Sequence, residues 1–215
     1  MDSYKFNDQN RPLEPEKFYH IYNRGNQQNA IFFSEENYRY FLSKYTQYLS
    51  GYVDTYAYCL MENHFHFLLR VKSKKDILEY AKHGFQNLTN SNILLPNKIV
   101  SEQFRRFFLS YAKAINKQNQ LTGSLFQKYF RRKLIDNDLY YTRLIYYIHA
   151  NPSHHGIVDD FKTYPWSSFT PLLNGPASML QRQDVLSFFN GMDGYREFHN
   201  RKLDFKEIDY LLIED

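Results

Sequence analysis

The chain has 215 residues, enough for one domain with extensions and a sizeable core but too few for two full domains. Its 27 basic and 23 acidic residues leave a net charge of only +4, so a polyanion footprint must be a local patch rather than a basic coat. Aromatic residues make up 19% of the chain, 20 Tyr and 19 Phe against one Trp, and most of these must be core whatever the function.

The single cysteine, Cys59, excludes an internal disulfide and a multi-cysteine metal site and fits a reducing cytoplasm. Residues 1–15 are polar and lack the apolar core of a signal peptide, and no run approaches membrane-spanning length. The expectation is a soluble, cytoplasmic protein. No internal repeat or low-complexity segment is visible.

Residues 17–23 read as a strand ending at Arg24-Gly25-Asn26, where glycine permits a turn. Ser34 with Glu36 starts a helix in which Tyr38, Phe41, Leu42, Tyr45 and Leu49 repeat at helical spacing until Gly51. Residues 53–60 and 64–71 are β-rich runs joined by Met61-Glu62-Asn63, the length of a hairpin turn, with Phe65, Phe67 and Leu69 sharing one face. A short helix at 77–85 and a loop at 87–97 follow. Residues 103–119 form a helix with Phe104, Phe107, Phe108, Tyr111, Ala112 and Ile115 as its apolar stripe. A short strand lies within 125–135, and Asp136-Asn137-Asp138 caps a helix over 139–150 that Pro152 ends, leaving Asn151 at or beyond the last turn. The remainder carries helical patches at 184–189 and 195–199. A β-α-β-β-α-β order with a further helix predicts an α+β, ferredoxin-like antiparallel sheet with helices packed on it. The chain divides into a polar lead over 1–16, a core domain over 17–158 and a C-terminal helical arm over 159–215.

The sharpest chemical feature is His64-Phe65-His66. Side chains alternate on a strand, so both imidazoles share one face and can converge on one ion, with positions left open for substrate oxygens. An isolated His-x-His is as often a pair without metal.

The segment Met61-Glu62-Asn63-His64-Phe65-His66-Phe67-Leu68-Leu69 resembles the histidine-hydrophobic-histidine strand of the single-tyrosine HUH-superfamily transposases. Downstream, Gly123-Ser124-Leu125-Phe126-Gln127-Lys128-Tyr129, then Tyr147-Ile148-His149-Ala150-Asn151-Pro152, continue the resemblance in family order. Tyr164-Pro165-Trp166-Ser167-Ser168 is similar to a tail element of the REP-associated tyrosine transposases. The chain departs from the pattern at Glu62, where proline is common, and at Ser153-His154-His155 after Asn-Pro. The resemblance implies a ferredoxin-like core that cleaves and rejoins single-stranded, hairpin-bearing DNA through a 5′-phosphotyrosine. It implies Tyr147 as nucleophile and His64, His66 and Asn151 as metal ligands. Tyr147 and Asn151, four apart, share a helix face, and Arg143 lies on it too. Tyr146 is the nearest rival, but it points about 100° away. Phosphate oxygens and an amide ligand favour Mg2+ or Mn2+ over zinc.

Gln127-Lys128-Tyr129-Phe130-Arg131-Arg132-Lys133 interleaves cations with aromatics, as a groove for unpaired DNA does. Lys128, Arg131, Arg132 and Lys133, with Arg24 and Arg143, are the candidate DNA contacts, although a charge run is more often a solvated face. His149 reads as structural, and His154 and His155 as surface residues. The expected partner is single-stranded DNA, bound by a monomer or homodimer. Two other classes compete. One is a domesticated binding module that no longer cuts; the other is a metal hydrolase using water, which would want more carboxylates than Glu62 near the histidines.

Overall fold

The structure is a computed structural model that describes residues 11–84, 95–175 and 179–201. Helix α1 (Glu35–Leu49) starts after Ser34 with two acids in its first turn and buries Asn37, Phe41, Tyr45 and Leu49, a four-residue repeat that makes one apolar stripe. Strands β1 (Phe18–Arg24), β2 (Val53–Met61), β3 (His64–Val71) and β4 (Arg131–Ile135) form one antiparallel sheet in the order β2-β3-β1-β4. Helices α2 (Lys74–Gly84) and α3 (Pro96–Gln118) follow β3, and α4 (Asp138–His154) follows β4. This is the α+β plan expected. Most of the expected 87–97 loop lies outside the described residues. The helix expected from 103 begins at Pro96, which fits the first helical turn because its missing N–H has no partner there to lose.

Strand alternation sorts β3 between two layers. Phe65 and Phe67 pack on α1, Phe67 stacked on Tyr45 at 4.4 Å and Phe65 against Phe41 at 5.2 Å, so His64 and His66 face the opposite layer. That second layer is α4. Asn137 caps it, its side chain accepting from the Tyr140 N–H at 2.8 Å. Pro152 does not end it. The helix runs on to His154, with the His155 N–H donating to the Asn151 carbonyl at 3.0 Å, because proline removes one hydrogen bond without preventing the next turn. Asn151 is therefore fully helical and buried.

Every residue over 144–152 is buried, so α4 has no wet face. The sheet covers one side. The other is covered by the tail, which comprises α5 (Phe169–Asn174), α6 (Arg182–Ser187) and α7 (Met192–Asn200). The tail also covers the edge strand β2: the Leu60 N–H donates to the Trp166 carbonyl, the Ser168 N–H to the Tyr58 carbonyl and the Gln181 N–H to the Thr55 carbonyl. Gly25, after β1, needs to be glycine for space rather than for a positive φ, since a Cβ there would lie 1.9 Å from the Asn29 carbonyl oxygen. Among the described residues no helix is long and apolar enough to cross a membrane.

A buried hydrogen-bond chain ties tail, helix and sheet together. His199 Nδ1 lies 2.8 Å from the Tyr195 carbonyl oxygen, which can only accept, so that nitrogen carries the proton. The Nε2 of neutral His199 then accepts from His149 Nδ1–H at 3.0 Å, and His149 Nε2 accepts from the Ser168 hydroxyl at 2.7 Å. Ser168 Oγ in turn accepts from the Tyr58 N–H at 2.8 Å. With both imidazoles neutral the chain has this one polarity. Burial supplies this neutrality, holding His199 down to about 4 and His149 well below its ordinary range.

Above the unfolded-chain value of about 6.5 both histidines are neutral folded or unfolded, and their hydrogen-bond chain is complete. As pH falls from about 6.5 towards about 4, the unfolded chain takes up protons that the folded chain refuses, and stability is lost. His199 alone accounts for on the order of 3 kcal/mol of that loss. Urea midpoints between about pH 7.5 and about pH 4.5 should fall steeply for the natural chain. They should fall less for His199→Gln, which keeps an acceptor for His149 but cannot titrate. Equal slopes would contradict a neutral buried chain.

Candidate active site

Strand β3 presents His64 and His66 towards α4, flanked by β1: Arg24 pairs with His64 and Tyr22 with His66. Both imidazoles are buried, His64 at 8% and His66 at 6% exposure. The hairpin turn fixes one tautomer. The Asn63 amide donates through Nδ2 to the Gln28 carbonyl, which leaves its Oδ1 to accept from His64 Nδ1–H at 2.6 Å. His64 thus keeps its lone pair on Nε2. His66 Nδ1 is hydrogen-bonded at 2.9 Å to Nε2 of His20, a buried residue of β1. Burial lowers His64 to about 3, helped by neighbouring His155 and Arg24, and places His66 well below its usual range. Both rings are therefore neutral near pH 7, the form that ligates metal.

Helix α4 lays a row of side chains over this pair. Tyr147 stands edge-on to His66, ring centres 5.5 Å apart, and 6.2 Å from His20. Two turns on, His155 stands 4.9 Å from His64. Residues four apart share a helix face, so Asn151 lies on the face that turns Tyr147 and His155 to the histidines. Both amide atoms of Asn151 are buried and neither has a hydrogen-bond partner. An unsatisfied buried polar atom costs about 1–3 kcal/mol, and of the two amide atoms the oxygen has the lone pairs to ligate a cation.

The neighbouring tyrosines point elsewhere. Tyr146 packs into the tail against Phe161, Phe198 and His199 at 5.8–6.1 Å. Tyr141 lies against Phe18, Tyr56 and Phe188. Among the described residues no three His, Cys, Asp or Glu side chains gather as a metal cage. The available donors are two imidazoles and an amide oxygen. Such a set suits a divalent ion that keeps open positions, and the oxygen leans the choice towards harder ions.

The cationic candidates divide across the sheet. Arg131 pairs with Tyr22 and Lys133 with His20, so both lie on the histidine side of β4, whereas Arg132 pairs with Ile21 and lies on the other. Arg132 is stacked 4.3 Å over Phe130 and donates to the Arg11 carbonyl. Lys128 is on the segment leading into β4 and is exposed, while Arg143 is half-buried on α4, one turn before Tyr147. His155 is exposed, as a surface residue would be, yet it packs on His64 rather than standing apart. His20 carried no local signal: only the β1–β3 register brings it to His66, and register is not written in either strand alone.

No family model matches the chain. Over 130 residues, 60% of its length, it is 29% identical to a REP-associated tyrosine transposase of Haemophilus influenzae, and it spans 66% of that protein. A solved structure of a REP-associated tyrosine transposase bound to a REP hairpin superposes with a TM-score of 0.53 over 80% of this chain and 86% of the other, at 14% identity. At that identity the superposition speaks for the fold. Sequence and structure, each distantly, converge on the REP-associated tyrosine transposases as the proteins this chain is similar to.

Proposed function

We propose that this protein cleaves and rejoins single-stranded, hairpin-bearing DNA with Tyr147 as nucleophile and with His64, His66 and Asn151 holding a Mg2+ or Mn2+ ion. The observation that carries the reading is the row on α4: Tyr147 stands against His66, and one turn on, on the same helix face, is the buried Asn151 amide with no hydrogen-bond partner. The hairpin preference rests on the similar structure, which is bound to one. The ion, when bound, would polarise the scissile phosphate and offset the charge that grows on its oxygens.

The residues of the chain do the rest. Tyr147 Oη attacks phosphorus, the bond to the 3′-oxygen breaks, and that oxygen leaves as a hydroxyl with a proton equivalent to the one the phenol gives up. The product is a 5′-phosphotyrosine, so the energy of the phosphodiester is conserved. Rejoining is the same step reversed by an incoming 3′-hydroxyl. Tyr147 is only 2% exposed, which shields the ring from bulk water. Because the ring already stands edge-on to His66, a scissile phosphate held at the histidine pair would lie beside it. Arg131 and Lys133 lie on that side of the sheet, where they can neutralise phosphates of the entering strand.

Incubation with hairpin-bearing single strands and Mn2+ should give a denaturant-resistant protein–DNA adduct. Tyr147→Phe should abolish the adduct and leave DNA affinity within about twofold, while Tyr146→Phe should keep the adduct; the reverse pattern would exchange the two roles. The double replacement of His64 and His66 by alanine should remove both Mn2+ binding, read by calorimetry without DNA, and the adduct. Adduct formation that survives it would refute the ion's part. Because the His20 bond orients His66, His20→Ala should weaken Mn2+ affinity by about 10- to 100-fold in the same assay. An unchanged affinity would show that His66 needs no partner.

A further inference from the structure

The layer opposite the histidines holds a cleft of about 620 Å3 between α3 and the segment 123–130. Phe108, Leu109, Tyr129 and Phe130 give it an apolar lining; Leu109 is 43% and Tyr129 48% exposed. Arg105, Lys113, Lys128 and Arg132 also line it, and no acidic side chain does. Arg105 is committed to Glu102 at 2.7 Å, and Arg132 is bound to the Arg11 carbonyl and stacked on Phe130. Lys113 and Lys128 stand exposed at the rim, Lys128 Nζ 5.3 Å from the centre of the Tyr129 ring.

This mixture selects an occupant. Glu102 offsets Arg105, but Lys113, Lys128 and Arg132 remain with no acid in the lining, so the occupant is anionic. Half-exposed aromatic and aliphatic side chains beside those cations call for flat apolar faces as well. A duplex buries its base faces and exceeds a cleft of small-ligand size. Unpaired nucleotides offer both features, a stacking face and a phosphate. One end of the cleft reaches the C-terminal end of β1, where Asn23 lines it. Gln127 lines it and donates its N–H to the Arg24 carbonyl at 2.9 Å, and Arg24 is the register partner of His64.

We propose that this cleft is a second DNA subsite, which takes unpaired bases flanking the scissile phosphate, stacked on Tyr129 and Phe108 with their phosphates against Lys113 and Lys128. It rests on the reading of single-stranded DNA cleavage above and extends it. The strand passes from the histidine side of the sheet, around Arg24 and Gln127, to the α3 side.

The test measures fluorescence-anisotropy affinity for a labelled pool of random-sequence single strands, and for the same pool made double-stranded, across a salt series. Tyr129→Ala should weaken single-strand binding by roughly 5- to 150-fold and leave duplex binding unchanged. Lys113→Gln with Lys128→Gln should flatten the salt dependence by about 1.4 in log–log slope. All three residues are exposed, and equal melting temperatures would confirm intact folds. Single-strand affinity and salt slope unchanged in both variants would overturn the subsite, while a Tyr147 adduct in the natural chain would still stand. Loss of affinity in Tyr129→Ala with no adduct in the natural chain would keep the subsite and overturn the cleavage reading. Equal loss for single strands and duplex would assign the cleft to general electrostatic contact and overturn base stacking, and a natural chain that binds no single strands would overturn both readings.

Discussion

A helix buried on every side cannot stand on a sheet alone, and α4 is such a helix from residue 144 to residue 152. One side rests on β2 and β3, where His64 and His66 project. The other requires the tail, whose aromatic residues close over Tyr146 and whose His199 bonds His149. The consequence for chemistry is positional. His149 lies between Tyr147 and Asn151, and its two hydrogen bonds fix the rotation of α4 about its own axis, so the Tyr147 row stays aimed at the histidine pair. A residue with no contact to the candidate site thus helps to set its geometry.

The same burial explains the electrostatics. Imidazoles excluded from water stay neutral, which serves the tail contact and the candidate metal pair alike, although for different ends. In the first case neutrality preserves a hydrogen-bond polarity; in the second it preserves a lone pair. The cations follow the sheet's alternation instead. Adjacent residues of β4 send Arg131 and Lys133 to one layer and Arg132 to the other, so one short basic run serves two surfaces.

What could be read in the sequence was what strong local pattern encodes. The alternation around Phe65 and Phe67 gave the strand and the shared face of His64 and His66, and the Asn137 cap gave the start of α4. Tyr147 was distinguished from Tyr146 only through a family resemblance; the packing of Tyr146 into the tail adds a physical reason. Pairings between distant segments were not legible. His20 beside His66, His199 beside His149 and His155 beside His64 depend on sheet register, on the path of the tail and on a helix that continues through Pro152. Pro152 resembles a stop in the sequence because its backbone cost is local, whereas the packing that offsets this cost is tertiary.

The most direct measurement is peptide mapping by mass spectrometry of the protein after reaction with hairpin-bearing single strands and Mn2+. A Tyr147 nucleophile requires a nucleotide adduct on Tyr147 and on no other tyrosine. An adduct on Tyr146, Tyr140 or Tyr141, or cleaved DNA with no covalent adduct, would contradict it.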